Sequence, residues 1–130
     1  MGIKYLWDTN TVIYYLQQQF PVSAERFMDD TLSESQPAVS VITEIELLCW
    51  KAPTEEDASV LRSFITDAWV FGLERDIKDQ TAELRQNHKI KLPDAIIAAT
   101  AVVHSLTLLS RNTKDFAKVN GLSLINPHEQ

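Results

Sequence analysis

The sequence predicts an α/β protein of three layers, α/β/α, with a mostly parallel central sheet. Three observations carry this. Short apolar runs of β-forming residues alternate with amphipathic helical stretches, the order that builds parallel sheets. One alanine-rich stretch, Ala95 to Ser105, is apolar almost all round, as a buried helix is. Only three glycines and five prolines occur in 130 residues, too few for a turn-rich all-β chain. That length suits one domain, residues 1–130.

The elements follow in order. Ile3 to Trp7 is an apolar run rich in β-formers and reads as the first strand. Thr9 to Gln19 reads as a helix with Val12, Ile13, Tyr15 and Leu16 apolar, and Pro21 breaks it. Val22 to Leu32 is a second helical stretch, with Phe27 and Met28 on its apolar side. Gln36-Pro37 signals a turn, and Ala38 to Ile42 is a strand. Thr43 then opens a helix carrying Ile45, Leu47, Leu48 and Trp50. Pro53-Thr54-Glu55-Glu56-Asp57 opens the next: a proline, a hydroxyl cap, then three acids where the helix dipole favours them. That helix runs to about Ala68. Trp69 to Leu73 is a strand, and Asp76 to Asn87 an amphipathic helix. Leu92-Pro93-Asp94 precedes the buried helix. Leu106 to Ser110 is a strand, Asn112 to Val119 a short helix, and Leu122 to Ile125 a last edge strand.

Composition is that of an ordinary globular protein, with 45% hydrophobic and 23% charged residues. The single cysteine, Cys49, allows no intrachain disulfide. It reads as a small buried hydrophobe. No basic segment, apolar core and cleavage site open the chain. The most apolar stretch, Ala95 to Leu109, is short and interrupted by Thr100, His104, Ser105 and Thr107, so no membrane span is expected. The expectation is a cytoplasmic protein. The net charge of −6 opposes phosphate binding by a broadly basic surface. It leaves room for a metal-dependent nuclease, whose clustered acids would add to that charge. His88, His104 and His128 are scattered without ligand spacing, and His104 reads as a packed residue.

Acids stand at four joints between elements. Asp8 follows a strand and starts a helix. Glu46 lies in the first turn after the second strand. Asp94 opens the buried helix. Asn112 and Asp115 open the helix after strand Leu106 to Ser110. Each has a plain structural reading. Asp8 and Asp94 suit helix caps. Thr43-Glu44-Ile45-Glu46 has the form of a capping box, and Asn112 to Asp115 nearly so. Together they read differently. Ligands bind outside the carboxyl ends of strands in open α/β sheets, and three of the joints lie there. Gathered carboxylates repel unless they are protonated or bind a cation. Oxygen-only ligands suit Mg²⁺ or Mn²⁺ rather than Zn²⁺.

Four segments carry a resemblance: Asp8-Thr9-Asn10-Thr11-Val12-Ile13, Ser40-Val41-Ile42-Thr43-Glu44-Ile45-Glu46-Leu47-Leu48, Leu92-Pro93-Asp94-Ala95-Ile96-Ile97-Ala98-Ala99-Thr100-Ala101, and Leu109-Ser110-Arg111-Asn112-Thr113-Lys114-Asp115-Phe116. In this order they resemble the four motifs of the PIN (PilT N-terminus) domain family, and within it the VapC-type toxins of bacterial toxin–antitoxin pairs. The resemblance spans nearly the whole chain. It implies a PIN-like fold and a Mg²⁺- or Mn²⁺-dependent ribonuclease. By motif position it makes Asp8, Glu46 and Asp94 catalytic, metal-binding acids. Glu44, two residues earlier on the helix, points to another face and reads as surface. The fourth position is divided between Asn112 and Asp115, the nearest true carboxylate, which leaves a second metal open. Thr9 and Asn10 are expected to hold the turn around Asp8, and Thr43 to orient Glu46. Lys89, Lys91, Arg111 and Lys114 flank two acidic motifs and are candidates for RNA phosphates. The family further implies an RNA substrate, often transfer RNA, an antitoxin partner and a homodimer.

Two other readings stand beside this one. Asp8-Thr9-Asn10-Thr11-Val12 after an apolar strand also looks like the opening of haloacid-dehalogenase-type phosphatases, with Asp8 as nucleophile. Those enzymes usually carry a second acid where this chain has Asn10. The fold could also serve as an RNA- or protein-binding module with a decayed site, of which Asn112 would be the first sign.

Overall fold

The computed structural model describes residues 2–130. Its elements in order are β1 (Tyr5–Trp7), α1 (Thr9–Leu16), α2 (Val22–Glu34), β2 (Ala38–Ser40), α3 (Val41–Cys49), α4 (Glu55–Asp67), β3 (Trp69–Phe71), α5 (Arg75–Asn87), α6 (Leu92–Val103), β4 (Thr107–Leu109), α7 (Thr113–Phe116) and β5 (Ser123–Ile125). A 3₁₀ turn, Pro127–Glu129, follows. The five strands form one parallel sheet in the order β3-β2-β1-β4-β5. The expected three-layer α/β/α fold is present.

Strand alternation divides the core between the two faces. In β1, Leu6 packs on one side with Ala38 and Leu108, against Ile77 and Leu84 of α5 and the buried face of α6. Trp7 packs on the other with Val39 and Leu109, against Val12, Met28, Leu47 and Leu61 from α1 to α4. A period of two sends successive side chains to opposite faces, so each strand feeds both cores. Leu6 and Trp7 are fully buried, each a burial of about 2 kcal/mol. In α6, Ala95, Ala98, Ala99 and Ala101 are fully buried. Their small side chains let the helix lie close to the sheet and to α5, where a larger residue would overpack.

Several boundaries differ from expectation. α1 stops at Leu16, short of Gln19. Gln18 takes a left-handed φ of 56°, and the Gln19 amide turns back to the Tyr14 carbonyl. This closes the helix with its end carbonyls satisfied. α6 ends the same way at Ser105, φ 55°, with the Leu106 amide on the Ala101 carbonyl. β2 ends at Ser40 rather than Ile42, because Ser40 accepts the Ile42 amide at 3.1 Å and starts α3. The expected Thr43–Glu46 capping box is therefore absent, and Thr43 is a buried interior residue of α3. α6 begins earlier, with Lys91 at its N-cap position making no side-chain cap and proline in its first turn, so Asp94 is not its cap. α7 is a single turn. Cys49, read as buried, is exposed at the end of α3. His104, read as a packed residue, is exposed at the end of α6, with its ring 4.3 Å from that of Phe71.

Candidate active site

β1 lies at the centre of the sheet. The chain runs outward from it through β2 to β3, then returns to place β4 on its other flank. The strand order therefore reverses between β1 and β4. The crevice beyond their carboxyl ends is the place such sheets bind ligands.

Asp8 caps α1 there, accepting the Thr9 amide at 2.9 Å. The plain reading of Asp8 as a cap is correct, yet a cap needs only one carboxylate oxygen. The other accepts the Ser110 hydroxyl, just past β4, at 2.8 Å. The backbone repeats this seam: the Asp8 amide donates to the Leu109 carbonyl at 3.1 Å, and the Thr11 hydroxyl to the same carbonyl at 2.8 Å. Asp8 is 8% exposed. Its carboxyl titrates at about 6 against an ordinary 3.8. Burial is the main cause, the Ser110 and Thr9 hydrogen bonds work against it, and the charges of Asp94 and Glu46 raise it further.

Glu46 reaches the same place from α3. Its Oε1 lies 2.6 Å from the Thr9 hydroxyl, which lies 3.0 Å from the buried Thr43 hydroxyl. Thr9 has one proton to give, so a donation to Glu46 leaves Thr43 to donate to Thr9. Thr43, expected to orient Glu46, makes no bond to it; Thr9 stands between the two. Glu44 is half-buried rather than surface, and Glu46 exposed. It is nonetheless Glu46 whose charge acts on Asp8 and Asp94.

Asp94, in the first turn of α6, is brought to the same edge. Its carboxyl titrates above the ordinary range, through burial first, then the charges of Asp115 and Glu46, with Lys91 opposing. Asn112 is tied in by its amide, which donates to Ser110 Oγ at 3.0 Å, and its side chain donates to Asp115 at 3.2 Å. The four joints thus converge. Asp8, Asn10, Tyr14, Arg111 and Asn112 line a cleft of about 340 Å³. It is not the largest hollow, since an apolar groove of about 510 Å³ runs past Leu73, Leu92 and Ile96. What marks the cleft is Asp8, whose buried carboxyl feels the charges of Asp94 and Glu46.

Among the described residues no three His, Cys, Asp or Glu side chains close tightly around one point. An ion that keeps several of its waters and takes one or two carboxylates directly, as Mg²⁺ does, does not require so closed a set. Of the four cationic residues expected near RNA, Arg111 lines the cleft with Asp8. Lys89, Lys91 and Lys114 are exposed. Two contributors were not singled out by sequence. Ser110 is fully buried against Asp8, and its signal was its place just past a strand end, like Asp8. Tyr14 lies one turn beyond Asn10 on α1, and nothing local in the sequence distinguished it from core.

A three-layer α/β/α fold with carboxylates gathered beyond its central strands makes this an α/β domain with an acidic site at its strand ends. The chain belongs to the PIN domain family, whose model matches residues 5–122. It is 24% identical over 128 residues to the tRNA(fMet)-specific endonuclease VapC of Shigella flexneri, covering 92% of this chain and 95% of that one. Among solved structures it is similar to a toxin–antitoxin complex from Klebsiella pneumoniae, at 34% identity and TM-score 0.75 over 95% of this chain and 98% of that one. It also shares the fold of VapBC2 from Rickettsia felis, with TM-score 0.79, 24% identity, and 97% and 98% coverage.

Proposed function

We propose that this protein, residues 1–130 acting as one domain, is a divalent-metal-dependent endoribonuclease and the toxin of a toxin–antitoxin pair. The observation that carries the reading is Asp8. A buried carboxylate crowded by Asp94 and Glu46 costs stability, and a site that binds a cation is the economical reason to keep it. Family membership and the endonuclease name of the Shigella flexneri relative support the reaction class. That name also supports transfer RNA as a substrate to try first.

Asp8, Glu46 and Asp94 would hold the ion, which is Mg²⁺ or Mn²⁺ by its all-oxygen ligands. Asn112 and Asp115 would supply further oxygen ligands, to this ion or to a second one. Such an ion supplies charge stabilisation and an acidified water for in-line attack on phosphorus. The chain's own residues do the positioning. Ser110 and the Thr9 amide fix both oxygens of Asp8, Thr9 fixes Glu46, Thr43 backs Thr9, and Asn10 lines the cleft. Lys89, Lys91 and Lys114, exposed around this edge, supply longer-range attraction for the RNA strand.

The Klebsiella pneumoniae complex supports an antitoxin partner. Exposed Ile45 and Leu48 on α3, and the Leu73–Leu92 groove, are apolar surface suited to that partner and to a homodimer. No described helix is long and apolar enough to cross a membrane. A phosphatase of the haloacid-dehalogenase type finds no support beyond its opening motif. The test is calorimetric titration of Mn²⁺ into wild type and Asp8→Ala, then incubation of both with total RNA. Binding and cleavage that vanish together in the variant support the reading. Mn²⁺ binding without cleavage of any RNA favours a non-catalytic module.

A further inference from the structure

We propose that Tyr14 is a positioning residue that holds the Arg111 guanidinium on the wall of the cleft as a clamp for a phosphate of the RNA strand. The inference rests on the nuclease reading above and adds to it which cation meets the strand and what aims it.

Arg111 sits between Ser110, which bonds Asp8, and Asn112, whose amide returns to Ser110. Its backbone is therefore tied to the acidic site. Its side chain is exposed and lines the cleft with Asp8 yet pairs with no carboxylate, since the ion pairs among the described residues are Arg62–Glu55 and Arg75–Asp79. A cation meant to neutralise Asp8 would be expected on Asp8. The guanidinium instead lies 5.8 Å from the centre of the Tyr14 ring, and Nη1 donates to the Tyr14 hydroxyl at 3.4 Å. That is the range of a cation–π contact. Tyr14 is itself braced. The His128 ring meets it edge-on at 5.0 Å, Phe20 lies at 6.0 Å, and His128 and Phe20 are 4.6 Å apart. A guanidinium steadied on one side keeps its remaining N–H groups for bidentate recognition of a phosphate. Lysine lacks that fork, so the clamp is specific to arginine.

The test uses the intact chain and fluorescently labelled, unfractionated transfer RNA. Ca²⁺ replaces Mg²⁺ so that the acids are neutralised, and only intact RNA is scored. Wild type, Arg111→Ala, Arg111→Lys, Tyr14→Ala, Tyr14→Phe and the Tyr14→Ala, Arg111→Ala double variant are compared across salt concentrations. Arg111→Ala is expected to weaken binding about tenfold at low salt. It should flatten the logarithmic salt dependence by about 0.7, the share of one single-strand phosphate. Tyr14→Ala should reproduce most of this loss and add nothing once Arg111 is gone. Tyr14→Phe keeps the ring and should fall between, which carries the test if Tyr14→Ala does not fold. Mn²⁺ titration of every variant reports the acidic site separately. Additive losses, or an unchanged salt slope in Arg111→Ala, overturn the clamp and leave the nuclease standing. Loss of antitoxin binding with RNA binding intact would assign Arg111 to protein recognition and also overturn it. A wild type that binds Mn²⁺ but neither binds nor cuts RNA removes the nuclease reading and the clamp together.

Discussion

The Ser110 hydroxyl donates to Asp8 Oδ2 at 2.8 Å across 102 positions of sequence. This bond joins the ends of the two strands that flank the reversal in strand order. It also lowers the Asp8 titration, against the burial that raises it. Ser110→Ala should therefore move the Asp8 titration further above 6 and weaken Mn²⁺ binding, at a stability cost of about 1 kcal/mol. Carboxyl-detected NMR titration checks the first and calorimetry the second. An Asp8 titration that stays put or falls would remove Ser110 from the site.

The Asp8 carboxyl fixes a sign for stability against pH. Its titration at about 6 lies above the ordinary 3.8, so between these values the folded chain binds a proton that the unfolded chain has released. The stability it contributes is whole below about pH 4 and is lost as pH rises through about 6. Asp8→Asn carries no charge at any pH. Without metal it should be more stable than wild type at about pH 8, by up to about 3 kcal/mol. That is several degrees in Tm. The gain should shrink to nothing below about pH 4. Thermal melts in EDTA across pH read it directly.

Metal and proton compete for the same oxygens. Mn²⁺ affinity should fall as pH drops through about 6, and binding near that pH should release protons, from Asp8 first and from Asp94, which is also raised. Calorimetry in two buffers of different ionisation heat counts them. Proton-free binding at that pH would mean that the ion sits elsewhere.

Glu44 and Glu46 differ by two positions on α3, and only Glu46 meets Thr9. Glu46→Gln should cost RNA cleavage at least about tenfold, while Glu44→Gln leaves Mn²⁺ affinity and cleavage near wild type. Equal losses would show that α3 presents both acids to the ion.

Thr9→Val keeps the shape of the side chain and removes the hydroxyl between Glu46 and Thr43. Its melting temperature should fall only slightly, while cleavage falls about tenfold because Glu46 loses its orientation. Unchanged cleavage with normal Mn²⁺ affinity would make this contact structural only.

Periodicity and punctuation in the chain specify the type and order of the elements. The apolar run of β-formers from Ile3 to Trp7, the acids after Thr54 and the apolar wrap of Ala95 to Ala101 are local signals, and local backbone preferences read them. Asp8 and Asp94 are legible for the same reason, as carboxylates at joints; Glu46, expected in the first turn after a strand ending at Ile42, lies in the second turn of α3, because that helix begins at Val41. Caps were misplaced where two candidates compete within three residues. Ser40 won over Thr43 because pairing of β2 with β3 ends at Ser40–Phe71, so the chain is free to turn helical from Val41 with Ser40 as its cap. Pairing of β1 with β2 on one flank and β4 on the other was not written in any segment. It depends on which buried faces fit together across long loops, and that brought Ser110 to Asp8, Glu46 to Thr9 and Arg111 to Tyr14. The acids are local features of the sequence. Their convergence at one sheet edge, and the raised titration of Asp8 and Asp94 that follows from burial and crowding, exist only once the strands are ordered.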